Sequence, residues 1–100
     1  MPNLNIAIPH NLSQDDALKR IKDAIAQAKV EHSNSIKDLQ ENWNGNVGTF
    51  SGSAMGQTAS GTITVNASEI VFNLELPFAA SFFKRPIEAG IREFTTKRLG

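Results

Sequence analysis

The chain has 100 residues, and its ten Lys and Arg side chains balance its ten Asp and Glu side chains, so the formal net charge is zero. That length predicts a single domain over residues 1–100. Because Cys is absent, the sequence excludes a disulfide scaffold and cysteine-based metal or thiol chemistry. Neutrality argues against a nucleic-acid partner, and no apolar stretch is long enough for a signal peptide or a membrane span. We therefore expect a cytoplasmic protein without a transmembrane segment.

The first predicted elements are a short strand and a helix. Leu4, Ile6 and Ile8 alternate with other residues, which predicts a strand with one buried face that ends before the following loop. Ser13 stands where a helix cap is expected, so we place a helix over residues 14–31. An apolar stripe at helical spacing supports this helix. The stripe comprises Leu18, Ile21, Ile25 and Ala28.

The middle of the chain favours strands. The dipeptide Asn44-Gly45 between apolar residues predicts a hairpin turn, because both residue types tolerate positive φ. Strands over about 36–43 and 46–54 would flank that turn. The many small residues between positions 50 and 61 predict a flexible connection to the next strand.

Two further strands and a second helical segment complete the pattern. β-branched residues predict a strand over 62–65, and alternating apolar residues predict another over 70–76. A short helical turn at about 78–84 would precede the main helix, with Pro86 in its first turn. The predicted fold class is α+β with the order β-α-β-β-β-β-α, an antiparallel sheet with two helices packed on one face.

Histidine is the first candidate for catalysis. His10 lies in the loop between the first strand and the first helix, close in sequence to Ser13, Asp15 and Asp16. A nucleophile, its base and an orienting group need convergent geometry, which one crowded loop rarely supplies. We therefore favour a structural role, in which the His10 ring hydrogen-bonds local backbone groups, and we predict no catalytic residue. The two aspartates suit the positive end of the helix dipole better than a metal, so no metal site is predicted.

The last helical segment concentrates positive charge. From residue 84 to residue 98, five Lys and Arg stand against two Glu. Such an excess suits an anionic surface or polymer. The interruption by Glu and the lack of interleaved aromatic residues are more typical of a solvated helix face. The sequence favours the solvated face and leaves an anionic partner open.

Aromatic residues cluster in the final third of the chain, which holds five of the seven. Most of them belong in the core, because a domain this small needs its aromatic side chains inside. Phe78, Phe82 and Phe83, however, lie within six residues around a connection. An exposed apolar patch at this place would bind a partner or a lipid-like surface, so these three are the candidate binding residues.

Short motifs along nearly the whole chain resemble those of one family. They occur in the order Ile6-x-Ile8-x-His10-x-Leu12, Trp43-Asn44-Gly45-Asn46, Gly61-x-Ile63-x-Val65, Leu76-Pro77 and Phe83-x-x-x-Ile87-Glu88-x-x-Ile91. The family is that of the polyhydroxyalkanoic acid system proteins, also called polyhydroxyalkanoate granule region proteins. The resemblance implies an association with bacterial storage-polyester metabolism, and it carries over no catalytic residue.

Three functions follow, in descending order of preference. The first is a non-enzymatic accessory or interaction protein that contacts a polyester granule surface or a granule protein through the three candidate phenylalanines. The second is a carrier for a small apolar ligand, acyl or hydroxyacyl, in a cavity between sheet and helix. That cavity would be lined by Ile63, Val65, Phe72, Leu74 and Ile91. The third is a hydrolase-like enzyme that uses His10. No cofactor is predicted, and the oligomeric state stays open.

Overall fold

The structure is a computed structural model that describes residues 3–54 and 56–99, apart from the side chains of Phe78, Ala79 and Ser81. The elements are β1 (Asn3–Pro9), α1 (Gln14–Glu31), β2 (Lys37–Asn44), β3 (Val47–Ala54), β4 (Gln57–Val65), β5 (Glu69–Glu75), a 3₁₀ helix (Phe78–Phe83) and α2 (Lys84–Leu99). The predicted α+β class and element order are confirmed. In the described ranges, no helix is both long enough and apolar enough to cross a membrane.

Local sequence signals account for β1 and α1. Leu4, Ile6 and Ile8 are buried while the residues between them are exposed, as the period of two predicts. α1 begins directly after Ser13, whose hydroxyl accepts a hydrogen bond from the Asp16 N–H at 3.1 Å. This bond satisfies one of the N–H groups that a helix start leaves without an internal partner. The predicted helix over residues 14–31 is confirmed.

The sheet is antiparallel throughout, and its strand order is β1-β5-β4-β3-β2. β1 therefore pairs with a strand far away in the sequence, and the register places Phe72 between Ile6 and Ile63. These side chains face the helices, so the predicted packing of both helices on one face is confirmed. The core between the sheet and the helices comprises Leu4, Ile6, Ile8, Ala17, Ile21, Ile63, Val65, Ile70, Phe72, Leu76 and Leu99.

Two connections differ from the prediction. The turn between β2 and β3 consists of Gly45 and Asn46, one residue later than expected, and Gly45 alone takes a positive φ, of 61°. Positive φ at only the first turn position is the pattern of type II′ turns, which require one glycine there. β3 and β4 pair as far as Ala54 and Gln57, so the flexible connection predicted between positions 50 and 61 is wrong. The small residues extend both strands, because backbone hydrogen bonds across the hairpin do not depend on side-chain size.

The C-terminal helical segment follows the prediction closely. Pro86 lies in the first turn of α2, where its missing N–H breaks no helical hydrogen bond. The preceding 3₁₀ helix occupies the place of the predicted short turn. Arg92 then ties α2 to the edge of the sheet, because its Nη1 donates to the carbonyl oxygen of Ala7 at 3.3 Å. α2 is thus held against β1 at one sheet edge.

Candidate apolar binding site

The far end of the β3–β4 hairpin carries small residues on the face that the helices cover elsewhere. Gly52 pairs with Ala59, and Gly61 lies between Phe50 and Leu74 in the sheet register. Because glycine and alanine have little or no side chain, they leave an open groove of about 360 Å³ above this part of the sheet. We term this opening the distal groove.

Two short segments form the walls of the distal groove. Because β2 and β5 flank the β3–β4 pair, residues near these strands rise on either side of it. Ile36 and Leu39 contribute from the β2 side, and Leu76, Pro77 and Ala80 contribute from the β5 side. Among the described residues that line the groove, none is charged. The distal groove therefore offers an apolar contact surface.

Two phenylalanines of the 3₁₀ helix are exposed to solvent. Phe82 is 81% exposed and Phe83 is 59% exposed, whereas Phe72 lies in the core. The same 3₁₀ helix supplies Ala80 to the distal groove, whereas neither Phe82 nor Phe83 lines it. The side chain of Phe78, the third candidate, lies outside the described part of the structure. The binding role of the phenylalanines stays a prediction.

A second opening lies between α1, α2 and the sheet, and we term it the helix–sheet cleft. Its volume is about 440 Å³. Its lining comprises Ile21, Ile25, Ile63, Phe72, Pro86, Ile87, Gly90, Ile91 and Phe94. Three of the residues predicted to line a cavity, Ile63, Phe72 and Ile91, therefore meet here. Val65 is fully buried in the core and does not line the cleft, while Leu74 lines the distal groove.

His10 joins two connections of the fold through its ring. Its Nε2 lies 3.0 Å from the carbonyl oxygen of Asn66, and its Nδ1 accepts a hydrogen bond from the Leu12 N–H at 3.1 Å. This arrangement assigns the ring proton to Nε2, because only an unprotonated Nδ1 can accept. The backbone N–H of His10 also donates a hydrogen bond to the carbonyl oxygen of Ser68 at 2.9 Å. The predicted bond of this ring to a local backbone group is confirmed at Leu12, and the contact with Asn66, far away in the sequence, was not predicted.

Comparison with known proteins gives one family. The family described as "Putative polyhydroxyalkanoic acid system protein" matches residues 4–99, a range that covers nearly every element of the fold. The chain belongs to this family. The resemblance indicated by the sequence motifs is therefore confirmed. Neither the curated proteins nor the solved structures give a match.

Two glycines of the sheet are required by close packing. A Cβ on Gly61 would lie 2.5 Å from the carbonyl oxygen of Asn73, which is backbone and cannot easily move. A Cβ on Gly48 would lie 2.8 Å from the rings of both Trp43 and Phe50. These rings pack edge to face with centroids 5.7 Å apart. Gly61 and Trp43 belong to the motifs that resemble the family, and both have a structural role in the packing of the sheet.

A polar cluster joins α1 to β2. Trp43 Nε1 donates to Glu41 Oε2 at 2.6 Å, and Lys29 forms an ion pair with the same carboxylate. Lys22 Nζ lies 5.0 Å from the Trp43 ring centroid, within the range of a cation–π contact. Partial burial raises the pKa of Glu41, but hydrogen bonds from Lys29 and Trp43 and the charges of both lysines outweigh that effect and lower it.

The sequence analysis missed this polar cluster and the floor of the distal groove. Lys22 and Lys29 are seven residues apart and share a helix face, and Glu41 and Trp43 share a strand face, so a signal for the cluster existed. The groove floor gives a weaker signal, because small residues reveal an opening only once their register is known. In the described ranges, no group of three or more His, Cys, Asp or Glu lies close enough to hold a metal ion. The two openings suit recognition of apolar groups.

Proposed function

We propose that this protein is a non-enzymatic accessory protein of storage-polyester metabolism, which acts in the cytoplasm and binds the surface of polyester granules. The observation that carries the proposal is the pair Phe82 and Phe83, 81% and 59% exposed, on the 3₁₀ helix that also supplies Ala80 to the apolar distal groove. Membership in the polyhydroxyalkanoic acid system family supports a polyester as the partner.

The chemistry of a polyester surface suits this patch. Such a surface presents alkyl groups and ester carbonyls, and it carries no charge along the chain. Burying one phenylalanine side chain contributes about 1.5–3 kcal/mol before the entropic cost of association is subtracted. Contact with the described groove residues removes no charged side chain from water, because none of them is charged. Attachment through this face therefore gains apolar burial without a large desolvation cost.

Two features support a non-enzymatic role over a hydrolase that uses His10. Both ring nitrogens of His10 bond to backbone groups, so neither is directed at a nucleophile. The nearest hydroxyl in sequence, that of Ser13, accepts the Asp16 N–H as a helix cap. A catalytic histidine would have to give up bonds that hold two connections together.

Co-sedimentation with purified, protein-free polyester granules tests the proposal. The native protein is expected in the pellet, and a Phe82→Ser/Phe83→Ser double variant in the supernatant. The double change removes apolar burial worth roughly 3–6 kcal/mol in total. The measured quantity is the pelleted fraction as a function of granule concentration, with far-ultraviolet circular dichroism as a check that the variant is folded.

Two further variants separate the patch from general stickiness. Val30 is 77% exposed on α1 and does not line the distal groove, so Val30→Ser is the matched control and should sediment like the native protein. Ala59→Leu fills the groove floor and leaves both phenylalanines in place, so it measures what the groove adds. The proposal is refuted if the native protein stays in the supernatant, or if the double variant sediments equally well.

The helix–sheet cleft favours a second candidate function, a carrier for a small acyl or hydroxyacyl ligand. Its volume of about 440 Å³ lies within the range of pockets that hold small molecules, and its lining is apolar. A ligand that binds only the folded state and is present at 100 times its Kd adds about 2.7 kcal/mol of stability. In a domain of this size, that gain raises the melting temperature by about 10 °C. Unchanged melting temperatures across a series of such ligands would remove this candidate.

A further inference from the structure

A third opening adjoins the helix–sheet cleft and differs from it in charge. It has a volume of about 320 Å³ and is lined by Gly90, Glu93, Phe94, Lys97 and Arg98. Gly90 and Phe94 line both openings, so the two are neighbours along α2. We term the third opening the basic pocket. An apolar cleft with a charged pocket next to it is the arrangement expected for a ligand that is apolar at one end and charged at the other.

Arg98 is the positive group in the basic pocket that forms no ion pair within residues 3–54 and 56–99. Lys97 and Glu93 pair with each other, at 3.2 Å between Nζ and Oε1, and both are largely exposed. The Nε of Arg98 is buried, yet it has no hydrogen-bond partner in residues 3–54 and 56–99. A buried donor without a partner is costly, and a charged one is the most costly. The pocket therefore keeps one positive charge that Glu93 does not neutralise.

Phe94 stands between the apolar and the charged part. The Cζ atom of Arg98 lies 5.1 Å from the centroid of the Phe94 ring, and Phe94 itself lines the helix–sheet cleft. A carboxylate held by the Arg98 guanidinium would accept two hydrogen bonds from its planar fork. A chain attached to that carboxylate would pass Phe94 and enter the cleft.

We propose that the basic pocket and the helix–sheet cleft together bind a linear alkanoic acid, with its carboxylate on Arg98 and its alkyl chain between α1 and α2. The proposal rests on the second candidate function, that of a carrier, and assigns it a ligand class and a polar anchor. Neither Phe82 nor Phe83 lines the basic pocket or the helix–sheet cleft, so granule binding and acid binding are tested with different variants.

Isothermal titration calorimetry of the full chain with hexanoate, octanoate and decanoate tests this site. Affinity should rise about fourfold for each added CH₂ group until the cleft is full, because each buried CH₂ contributes a constant increment. Decanol has the same chain without the negative charge and should bind about tenfold to a hundredfold more weakly than decanoate. The same loss is expected for decanoate with Arg98→Gln.

Matched variants distinguish the site from general effects of charge and packing. Lys19 is an exposed lysine on α1 outside both openings, so Lys19→Gln should leave decanoate affinity unchanged. Gly90→Leu adds a side chain at the junction of cleft and pocket, where a Cβ meets nothing within 4 Å, and should weaken binding without loss of fold. Phe82→Ser/Phe83→Ser should bind decanoate like the native protein.

Three results would overturn the inference. No binding of any acid to the native protein excludes the site, while the melting-temperature series with neutral acyl ligands still tests the carrier function. Equal affinity for decanol and decanoate removes the carboxylate anchor and leaves a carrier for neutral ligands. Equal affinity of native protein and folded Arg98→Gln places the anchor elsewhere. Granule co-sedimentation of Arg98→Gln at the native level would show that none of these results bears on granule binding.

Discussion

The sheet face that carries the helices is closely packed at one end and open at the other. Near β1 and β5, large side chains such as Ile6 and Ile70 are fully buried between the sheet and the helices. Toward the far end of the β3–β4 hairpin, Gly52 and Ala59 occupy the equivalent face, and no described residue of either helix lines the groove above them. Side-chain volume thus decides where the face closes into a core and where it stays open for contact.

The largest contrast is expected from truncating one apolar residue at each end. Ile70→Ala removes a side chain with no exposed surface and should lower the free energy of unfolding by about 2–5 kcal/mol. Leu39→Ala, in the wall of the distal groove, should cost about 1 kcal/mol or less, because its site is already open to water. Urea denaturation measures both values. Equal losses would mean that the groove wall is packed as tightly as the core.

A second contrast compares two glycines of the hairpin. Gly61→Ala places a Cβ 2.5 Å from the Asn73 carbonyl oxygen and should lower the free energy of unfolding by about 1–3 kcal/mol. Gly52→Ala places its Cβ 3.2 Å from Cγ2 of Ile36, an exposed side chain that can move, and should change stability by about 0.5 kcal/mol at most. A loss at Gly52 as large as that at Gly61 would contradict an open groove floor.

The smallest predicted effect concerns the cluster that links α1 to β2. Because the folded-state pKa of Glu41 is lowered, its contribution to stability is present above the unfolded pKa and is lost as the pH falls through the folded value. Glu41→Gln should therefore reduce the unfolding free energy at neutral pH by about 1 kcal/mol or less and flatten its decline at acidic pH. Glu31→Gln, at an exposed site on α1, is the control. An unchanged acid profile in Glu41→Gln would assign that decline to other groups.

Local sequence patterns predicted most of the secondary structure. The alternation of Leu4, Ile6 and Ile8, the cap at Ser13 and the first-turn position of Pro86 each depend on groups a few residues apart. Such signals are complete within the sequence, because the partner atoms lie in the same segment. The hairpin turn was misplaced by one residue because Gly45 supports either of two turn positions, and the strand register chose between them.

The candidate sites depend on contacts between residues far apart in the sequence, which local patterns do not predict. The sequence grouped five residues as a cavity lining because each lies on the apolar face of its element. In the structure Ile63, Phe72 and Ile91 line the helix–sheet cleft, whereas Val65 lies in the core and Leu74 lines the distal groove. Helix position decides which residues of one face are sealed and which border an opening. The aromatic cluster likewise left open whether Phe82 and Phe83 were core or surface.

By itself, then, the sequence determined the element order, the α+β class, the buried faces of β1 and β5, and the family. Only the tertiary structure decided where that buried face opens. The distal groove requires Gly52 to meet Ala59 across a hairpin, and the basic pocket requires Arg98 to stand beside an apolar cleft. An opening remains wherever the side chains do not fill the space between packed elements. The residues that border such a space come from distant parts of the chain, so the sequence alone does not reveal it.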